Sequence, residues 1–343
     1  MSVPRRPRLE DVAALAGVSR ALVSIVIRDA PGASAATRER VRRAADQLGY
    51  RPDTRARMLS RSRTRLLGVV FGVQHAFHGD LVDGLYAAAS GAGYDLALSA
   101  VTPRRDEDDA VAGLLQDRCE AMILLGPRTP AAQLAQLTAR LPVVVLARHV
   151  RDRAVDVVRT DDAAGLHLAV GHLASLGHRR IAHIDGGRAA GAAERRRGYR
   201  EAMRHHGLAA HEQIVGGGLT EDDGAAAAAD LLHGQPPTAV TVFNDRCATG
   251  VLHTLRAGGL DIPGDISIVG FDDSRLAQLS HVDLTTVAQD VDRLATLAVG
   301  RAVARLDGKP VDRRELVVPP RLVVRTTTTE AQPGAPTTSR TLL

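Results

Sequence analysis

A chain of 343 residues with 45% hydrophobic residues can bury a substantial core, and its length predicts two or three domains. It contains neither the roughly 18 uninterrupted apolar residues of a membrane-spanning helix nor an apolar signal segment near the N-terminus, so we expect a cytoplasmic protein without a membrane partner. The two cysteines, Cys119 and Cys247, lack metal-ligand spacing, and we expect no metal, no cofactor and no disulfide framework.

Positive charge is concentrated at the N-terminal end of the chain. Residues 1–65 contain 15 arginines and six acidic residues, a net charge of +9, so residues 66–343 carry −4 of the total of +5. A basic end attached to an acidic body is typical of proteins in which one segment contacts nucleic-acid phosphates. A solvated basic surface is the alternative, and it is favoured only where the segment contains no folded motif.

Three short helices are predicted in this basic segment. The first has an apolar stripe at positions i, i+3, i+4 and i+7, formed by Leu9, Val12, Ala13 and Ala16. Gly17 ends it, and Ser19 caps a second helix that extends to about Ile27. The third helix follows a cap at Ser34 and ends at Gly49, with the same stripe in Val41, Ala44, Ala45 and Leu48.

The second helix has one apolar side and one polar side. Val23, Val26 and Ile27 are predicted to face inward. The residues predicted on the outer side are Arg20, Ala21, Ser24, Ile25 and Arg28. Two helices joined by a glycine turn and braced by a third form a helix-turn-helix unit, whose second helix can enter the major groove. A three-helix protein-interaction module is the alternative, and the arginine excess favours DNA.

A short conditional helix is predicted next, in residues 53–65. Asp53 can cap it, Ala56 permits close contact with another helix, and Leu59 lies at an apolar tip between arginines. Helices below roughly 12 residues are marginal alone, so this one requires DNA or a second copy of the chain. A flexible basic tether is the alternative.

From residue 66 onward, apolar strand-like runs alternate with helical stretches. The predicted strands are LLGVVF, DLALSAV, AMILL, PVVVLA, VDVVRT, RRIAHI, TAVTVF and ISIVGF. This alternation predicts parallel sheets covered by helices on both faces, arranged either as one large sheet or, in better agreement with domain size, as two lobes of about 120 residues. Ligands of such folds bind at the carboxyl ends of strands, where the sequence places Arg148, Asn244, Asp245 and Asp272.

Two runs in the basic segment have a recognisable pattern, LEDVAALAGVSRALVSIVIRD and TRERVRRAADQLGYRPD. They closely resemble the DNA-binding domain of LacI/GalR regulators, over residues 8 to about 65. The resemblance implies that Ser19, Arg20, Ala21 and Ser24 face the major groove, with Arg20 and Ala21 at the two positions that the family varies to choose operators. It also implies that residues 53–65 are the hinge helix, which pairs with its twin in the minor groove and inserts Leu59 between base pairs.

The chain departs from the family pattern at several positions. Leu22 replaces the usual Thr, Ile25 the usual Arg, Arg28 a common Asn, and Asp53 the usual Asn. Ile25 can contact a thymine methyl group but cannot donate a hydrogen bond, so we expect an unusual operator half-site. The predicted DNA-binding residues are Ser19, Arg20, Ala21, Ser24, Ile25, Arg28, Tyr50, Ala56 and Leu59.

The resemblance extends over the body to about residue 328, through FHGDLVDGL, ERRRGYREAM, TVFNDRCATGVL and IPGDISIVGFDD. It implies a periplasmic-binding-protein-like sensor of two lobes with the effector in the cleft. Arg195 occupies the position of the effector-binding arginine, and Phe77 and His78 that of an aromatic pair. The predicted effector site is Phe77, His78, Arg148, Arg195, Asn244 and Asp272, whereas Asp162 and Asp273 are expected to be structural caps.

Together these features predict an α/β protein with four parts: a helix-turn-helix domain (1–52), a hinge helix and linker (53–65), a two-lobed effector-binding and dimerisation domain (66–328) and a disordered tail (329–343). We expect an allosteric repressor, a homodimer or a tetramer, that binds a palindromic double-stranded DNA operator and a sugar or nucleoside-like effector. The alternative is a solute-binding protein or an enzyme built on the same clamp, without DNA binding. Steep salt dependence of DNA affinity distinguishes the two.

Overall fold

The computed structural model describes residues 7–27, 29–50, 63–231 and 236–332, and the chain divides into two compact units, residues 1–64 and 65–343. The predictions for Arg28, Ala56 and Leu59, and for most of the hinge helix, lie outside the described residues. So does most of the predicted tail. Its first residues are described and ordered, because Thr329 N donates to Ser267 Oγ (3.1 Å) and Ala331 N donates to the Leu176 carbonyl (2.8 Å). The prediction of disorder from residue 329 is therefore wrong for residues 329–332.

The N-terminal unit contains the three predicted helices, α1 (Leu9–Ala16), α2 (Arg20–Ile27) and α3 (Ala35–Leu48). Gly17 and Gly49 end α1 and α3 in the left-handed conformation, with φ of 61° and 63°, which an L side chain rarely adopts. Ser34 caps α3 by accepting a hydrogen bond from Thr37 N. The helices enclose a small apolar cluster of Val12, Ala13, Ala16, Val23, Val26, Val41, Ala44 and Ala45.

The second unit contains two six-stranded sheets, one in each lobe. The sheet of the first lobe has the order β11-β5-β4-β3-β1-β2 and is parallel throughout; its strands are β1 (Leu66–Gly72), β2 (Asp95–Val101), β3 (Ala121–Leu125), β4 (Val143–Leu146), β5 (Asp156–Thr160) and β11 (Glu315–Val318). Its helices are α4 (Ala76–Gly91), α5 (Glu107–Gln116), α6 (Ala131–Thr138) and α11 (Val291–Leu306). Helices α4 and α11 cover one face of the sheet, and α5 and α6 cover the other.

The second lobe repeats this plan. Its sheet has the order β12-β10-β9-β8-β6-β7, with β12 antiparallel to its neighbour; the strands are β6 (Ile181–Ile184), β7 (Gln213–Val215), β8 (Ala239–Val242), β9 (Ser267–Asp272), β10 (Thr285–Ala288) and β12 (Arg321–Val323). Its helices are α7 (Asp162–Ser175), α8 (Ala192–His205), α9 (Glu221–Leu231) and α10 (Asp245–Ala257). One face packs against α7 and α8, and the other against α9 and α10.

The chain crosses between the lobes three times. The crossovers lie at residues 160–162, 288–291 and 318–321, between β5 and α7, between β10 and α11, and between β11 and β12. The fold class predicted from the alternating pattern is confirmed, and of the two arrangements left open, the pair of lobes is the one observed. Among the described residues, no helix combines the length and the apolar character needed to span a membrane.

Candidate DNA-binding surface and effector site

Helix α2 exposes its N-terminal residues. Ser19 Oγ accepts a hydrogen bond from Leu22 N (3.2 Å), which fixes the start of the helix as predicted. Ser19, Arg20 and Ala21 are exposed, whereas Ser24 and Ile25 are half-buried. The exposed residues at the start of α2 are therefore the ones that can reach a base edge without rearrangement.

Two residues of the predicted DNA surface have contacts within the head. Tyr50 packs partly against the apolar cluster of the head, and Arg20 forms an ion pair with Glu10 of α1, with 3.2 Å between Nη1 and Oε1. The predicted inward side of α2 is largely as expected, since Val23 and Val26 are buried and Ile27 is half-buried. The contacts proposed for Ser19, Arg20, Ala21, Ser24, Ile25 and Tyr50 stay predictions.

Arg195, in the first turn of α8, is the centre of a buried polar group in the second lobe. Its Nε donates to Asp162 Oδ1 (2.8 Å), Nη1 donates to the carbonyl of Phe243, and Nη2 lies 3.7 Å from Asp272 Oδ1. Its guanidinium also lies over the ring of Phe271, at 3.5 Å from the ring centroid. Only 7% of this side chain is exposed, so the position of the guanidinium is fixed by its partners.

Asp272 lies at the carboxyl end of β9, where the chain takes a positive φ of 122°. Its Oδ1 accepts a hydrogen bond from Gln289 Nε2 (2.8 Å), and Gln289 Oε1 accepts one from Thr160 Oγ1 (2.6 Å). Burial raises the pKa of Asp272 well above its ordinary value, although nearby Arg195 opposes the shift. Because Thr160 and Gln289 lie at two of the crossovers, this group connects the site to the segments between the lobes.

The expectation that Asp162 and Asp273 are caps is wrong. Asp161, not Asp162, caps α7 by accepting from Ala164 N (3.1 Å), and Asp162 points at Arg195 instead. Asp273 forms ion pairs with Arg325 (2.5 Å) and Arg321 (3.5 Å). A helix start was correctly located, but the sequence does not show which of two adjacent aspartates bonds to the backbone.

Two further residues at the end of β8 have mainly structural partners. Asn244 caps α10 by accepting from Cys247 N (2.7 Å), and its amide group donates to the Leu219 carbonyl (3.3 Å). Asp245 accepts hydrogen bonds from the backbone nitrogen of Ser274 (2.8 Å), from Ser274 Oγ (3.0 Å) and from Thr286 Oγ1 (2.6 Å). Burial raises the pKa of Asp245 to about 7, against the effect of these hydrogen bonds. Both residues hold the loops at the edge of the cleft.

A pair of stacked histidines contributes to the first lobe's side of the cleft. His75 and His78 have ring centroids 4.3 Å apart at 11°, and His78 Nδ1 accepts a hydrogen bond from Gly72 N (3.0 Å). Burial, together with the nearby charges of Arg195 and Arg246, lowers the pKa of His75 to about 4. Burial also holds the pKa of His78 well below its ordinary value. His78 is therefore neutral, with its proton on Nε2.

Two of the predicted effector contacts have other partners. Phe77 lies in the hydrophobic core of the first lobe with 6% of its surface exposed, so its ring is not available for stacking on a ligand. Arg148 Nη1 donates to the carbonyls of Pro127 and Thr129, the latter at 2.8 Å. Arg148 thus holds the loop after β3, and we leave both residues out of the proposed contacts.

A cavity of about 630 Å³ lies beside the histidine pair. Its lining comes mainly from the first lobe, and Leu219 contributes from the second; polar groups in this lining include His75, His78, Thr102, Asp106, Arg128 and Gln133. A volume of this order is typical of small-molecule sites. His75 was not predicted as a lining residue, because no sequence pattern shows that the residue before α4 stacks on His78.

Arginines of the second lobe contact the first lobe. Arg246 Nη1 donates to the Gln74 carbonyl (2.8 Å), and Arg275 lies 3.4 Å from a carboxylate oxygen of Asp80 and of Asp83. Sequence reasoning missed these contacts, because they join residues more than 170 positions apart. They join the second lobe to the first, and both arginines line the same pocket.

Known proteins with the same organisation identify the family. Residues 8–53 match the family model described as bacterial regulatory proteins, lacI family, and residues 170–328 match the periplasmic binding protein-like domain. The regulator GalR of Escherichia coli strain K12 is 35% identical over 323 residues, which are 92% of this chain and 94% of GalR. This chain belongs to the LacI family. It is accordingly a DNA-binding transcriptional regulator, as the resemblance predicted.

Other members of the LacI family support this assignment. The repressor PurR of Vibrio campbellii is 32% identical over 93% of this chain and 98% of PurR. A LacI transcriptional regulator from a Rhodococcus species is 52% identical, with a TM-score of 0.76 over 77% of this chain and 98% of that one. The lac repressor dimer bound to operator and the anti-inducer ONPF is 29% identical, with a TM-score of 0.80 over 95% of this chain and all of the other.

Proposed function

We propose that this LacI-family regulator is a dimeric repressor that reads a palindromic operator with α2 and changes its operator affinity when a small polar effector occupies the cleft. The observation that carries the proposal is the combination, in one chain, of an exposed basic helix start at Ser19–Ala21 with a two-lobed sensor. The second lobe contains a buried guanidinium–carboxylate group at Arg195 and Asp272, and a cavity is lined mainly by the first lobe. Two copies related by a two-fold axis read two half-sites.

The charges of the cleft favour an uncharged, hydroxylated effector. Arg195 already has Asp162 as a close ion partner and a second carboxylate 3.7 Å away, so it offers no net positive charge to an anion. Carboxylate oxygens accept from hydroxyl groups, and the Nε2 proton of His78 can be donated to one. A sugar or nucleoside meets both requirements. The similar regulator CelR, 31% identical with a TM-score of 0.69, is known as a cellobiose complex.

The proposed coupling between the two functions passes through closure of the lobes. An effector that binds both lobes favours the closed arrangement, in which Arg246 and Arg275 contact the first lobe. Closure displaces the crossovers and alters the geometry that a dimer imposes on residues 53–65. Operator affinity then changes by the same factor as effector affinity, because the coupling of two binding equilibria is reciprocal.

We assign the cleft a binding role rather than a catalytic one. The adjacent carboxylates of Asp272 and Asp273, which form the most evident acid pair in the sequence, have different partners: Asp272 contacts Arg195 and Gln289, whereas Asp273 pairs with Arg321 and Arg325. Paired acid–base chemistry requires two groups directed at one reacting atom. The regulator relatives support the same interpretation.

Selection from a random DNA pool tests the operator, followed by binding measurements with the selected duplex at several salt concentrations. We expect a two-fold symmetric sequence and an affinity that falls at least about a hundredfold between 50 and 200 mM salt.

Sugars and nucleosides are then screened by thermal shift, and a compound that raises the melting temperature should change operator affinity. Arg20→Ala should alter the selected half-site, and Arg43→Ala on α3 is the matched control. Failure to select any symmetric duplex contradicts the proposal.

A further inference from the structure

The acidic residues of the head are few, and most of those described stabilise its own fold. Asp11 accepts from the backbone nitrogen of Arg8 at the start of α1 (2.6 Å). Asp29 pairs with Arg38 (2.7 Å), close to the turn between α2 and α3, and Glu39 pairs with Arg43 one turn further along α3 (3.1 Å). None of these interactions involves a residue at the exposed start of α2.

Glu10 is different, because its ion partner is the exposed arginine of α2. Its Oε1 lies 3.2 Å from Nη1 of Arg20, and the two side chains are 54% and 69% exposed. The pair joins the first turn of α1 to the first turn of α2 at the surface, without contributing to the cap of α1, which Asp11 provides. A carboxylate therefore stands beside the residue proposed to read a base.

We propose that Glu10 is a specificity-determining residue that positions the guanidinium of Arg20 for a base edge and disfavours its use on phosphates. This inference rests on the proposed DNA-reading function of α2. A free arginine has many rotamers and binds any phosphate along the duplex, which adds affinity without sequence information. Anchoring by Glu10 selects a narrower set of orientations for Arg20, in which its remaining N–H groups can donate to the O6 and N7 acceptors of guanine.

The charge of Glu10 acts in the same direction. A carboxylate close to the DNA backbone is repelled by phosphates, and this repulsion is largest in the many non-specific registers in which Arg20 lies against the backbone. In the specific register the guanidinium lies between Glu10 and the base. Glu10 thus weakens random binding more than operator binding, and the ratio of the two affinities increases.

The first test is Glu10→Gln, which preserves the shape of the side chain and removes its charge. The variant and the wild-type chain are compared in their binding to a duplex selected from a random pool and to random DNA. We expect tighter binding to random DNA, a specificity ratio lowered by about fivefold, and a weaker preference at the base that Arg20→Ala also affects. Glu39→Gln is the matched control, because it removes the same charge from an exposed ion pair on α3. Equal specificity ratios for the two variants overturn the proposal.

Two further variants separate positioning from charge. Glu10→Asp keeps the charge on a shorter side chain, and positioning predicts a base preference between those of the wild type and Glu10→Gln. In an Arg20→Ala background, Glu10→Gln should leave the base preference unchanged, because the positioned group is gone. A full effect of Glu10→Gln in that background contradicts the proposal. If the wild-type chain selects no symmetric duplex at all, the proposed function fails first, and the two failures are distinguishable.

Discussion

Arg195, which we propose to bind the effector, also has a structural role. Its guanidinium neutralises the buried Asp162, approaches Asp272 and donates to the carbonyl of Phe243. Removing one partner of a buried ion pair costs about 3–5 kcal/mol, because the remaining charge is left unpaired in a region of low polarity. Arg195→Ala therefore destabilises the second lobe, and loss of effector response in that variant does not by itself demonstrate ligand contact.

Asp272→Asn is the more informative substitution. Burial raises the pKa of Asp272, so a neutral amide of the same shape suits its surroundings, and the amide oxygen can still accept from Gln289 Nε2. We expect the free energy of unfolding to change by less than about 1 kcal/mol, while effector affinity falls at least about tenfold. Urea unfolding and calorimetric titration with the screened effector measure the two quantities. Unchanged effector affinity in a folded Asp272→Asn variant removes Asp272 from the proposed site.

At the residue scale, the sequence predicted the location of residues better than it predicted the contacts of their side chains. Arg195 and Asp272 lie together as expected, but Arg148 holds a loop, Asn244 caps a helix and Phe77 is in the core. The position of a residue after a strand specifies the end of the sheet at which it lies. The direction of its side chain depends on neighbours that are distant in the sequence, such as the carbonyl of Pro127.

Helices α9 and α10 show how closely two elements approach in the second lobe. A Cβ atom placed on Gly250 would lie 1.9 Å from the carbonyl oxygen of Glu221, and one placed on Gly224 would lie 2.0 Å from that of Cys247. Both obstacles are backbone atoms, which cannot rotate away as a side chain can. The two glycines therefore determine the distance between the helices, and with it the positions of Glu221 and Arg246 in the cleft.

Gly250→Ala should separate α9 from α10. We expect the free energy of unfolding to fall by about 3 kcal/mol, at the upper end of the usual cost of overpacking, because the backbone must move. Gly300→Ala is the matched control, since Gly300 lies on an exposed face of α11 with no atom within 4 Å of the added carbon. There the substitution should stabilise the chain by up to about 1 kcal/mol through helix propensity. Equal urea midpoints for the two variants would show that the helix contact is not tight.

At the element scale, the strongly apolar strands were predictable and the short polar ones were not. All eight strand-like runs in the sequence are strands, but β7, β10, β11 and β12 were not predicted. Strands β7, β11 and β12 have three or four residues, most of them half-buried or exposed, and β10 begins with two threonines. These strands form through pairing with neighbours already in the sheet, which a periodicity argument cannot detect.

At the scale of the whole molecule, the division into two lobes followed from domain size, whereas the path of the chain between them did not. Helix α11 and β11 belong to the first lobe although they come after the whole second-lobe segment 162–288, and β12 then returns to the second lobe. No local pattern specifies such a return. The three crossovers that result are the segments through which any movement of one lobe relative to the other has to occur.

Each lobe contains a buried neutral histidine, His78 in the first and His183 in the second. Thr241 Oγ1 donates to the Ala182 carbonyl (3.2 Å) and so accepts from the Nδ1 proton of His183 (3.0 Å). The Nε2 atom of His183 has no hydrogen-bond partner among the described residues. A proton added there would be a buried, uncompensated charge, and burial accordingly lowers the pKa of His183 to about 3, with smaller effects of Arg195 and Arg196.

This low pKa makes stability depend on pH in a direction that can be worked out. An unfolded histidine titrates near 6.5, so between about pH 6.5 and 3 the unfolded chain binds a proton that folded His183 does not. Stability therefore falls as the pH falls through this range, by up to about 1.4 kcal/mol per pH unit for this residue. The buried aspartates contribute with the opposite sign, because their raised pKa values mean that the folded state binds protons first, and a comparison of variants cancels their contribution.

His183→Phe isolates the histidine's contribution. The phenyl ring retains the contact with Tyr199 and removes the unpartnered nitrogen, at the cost of the hydrogen bond to Thr241. Urea unfolding at pH 7.5, 6.5, 5.5 and 4.5 should show that the variant loses less stability on acidification than the wild type. The difference in slope should approach that of one bound proton, about 1.4 kcal/mol per pH unit. His211→Gln, which replaces an exposed histidine, should keep the wild-type slope. Parallel curves for the wild type and His183→Phe would mean that His183 is protonated in the folded protein, and that the second lobe opens enough to hydrate it.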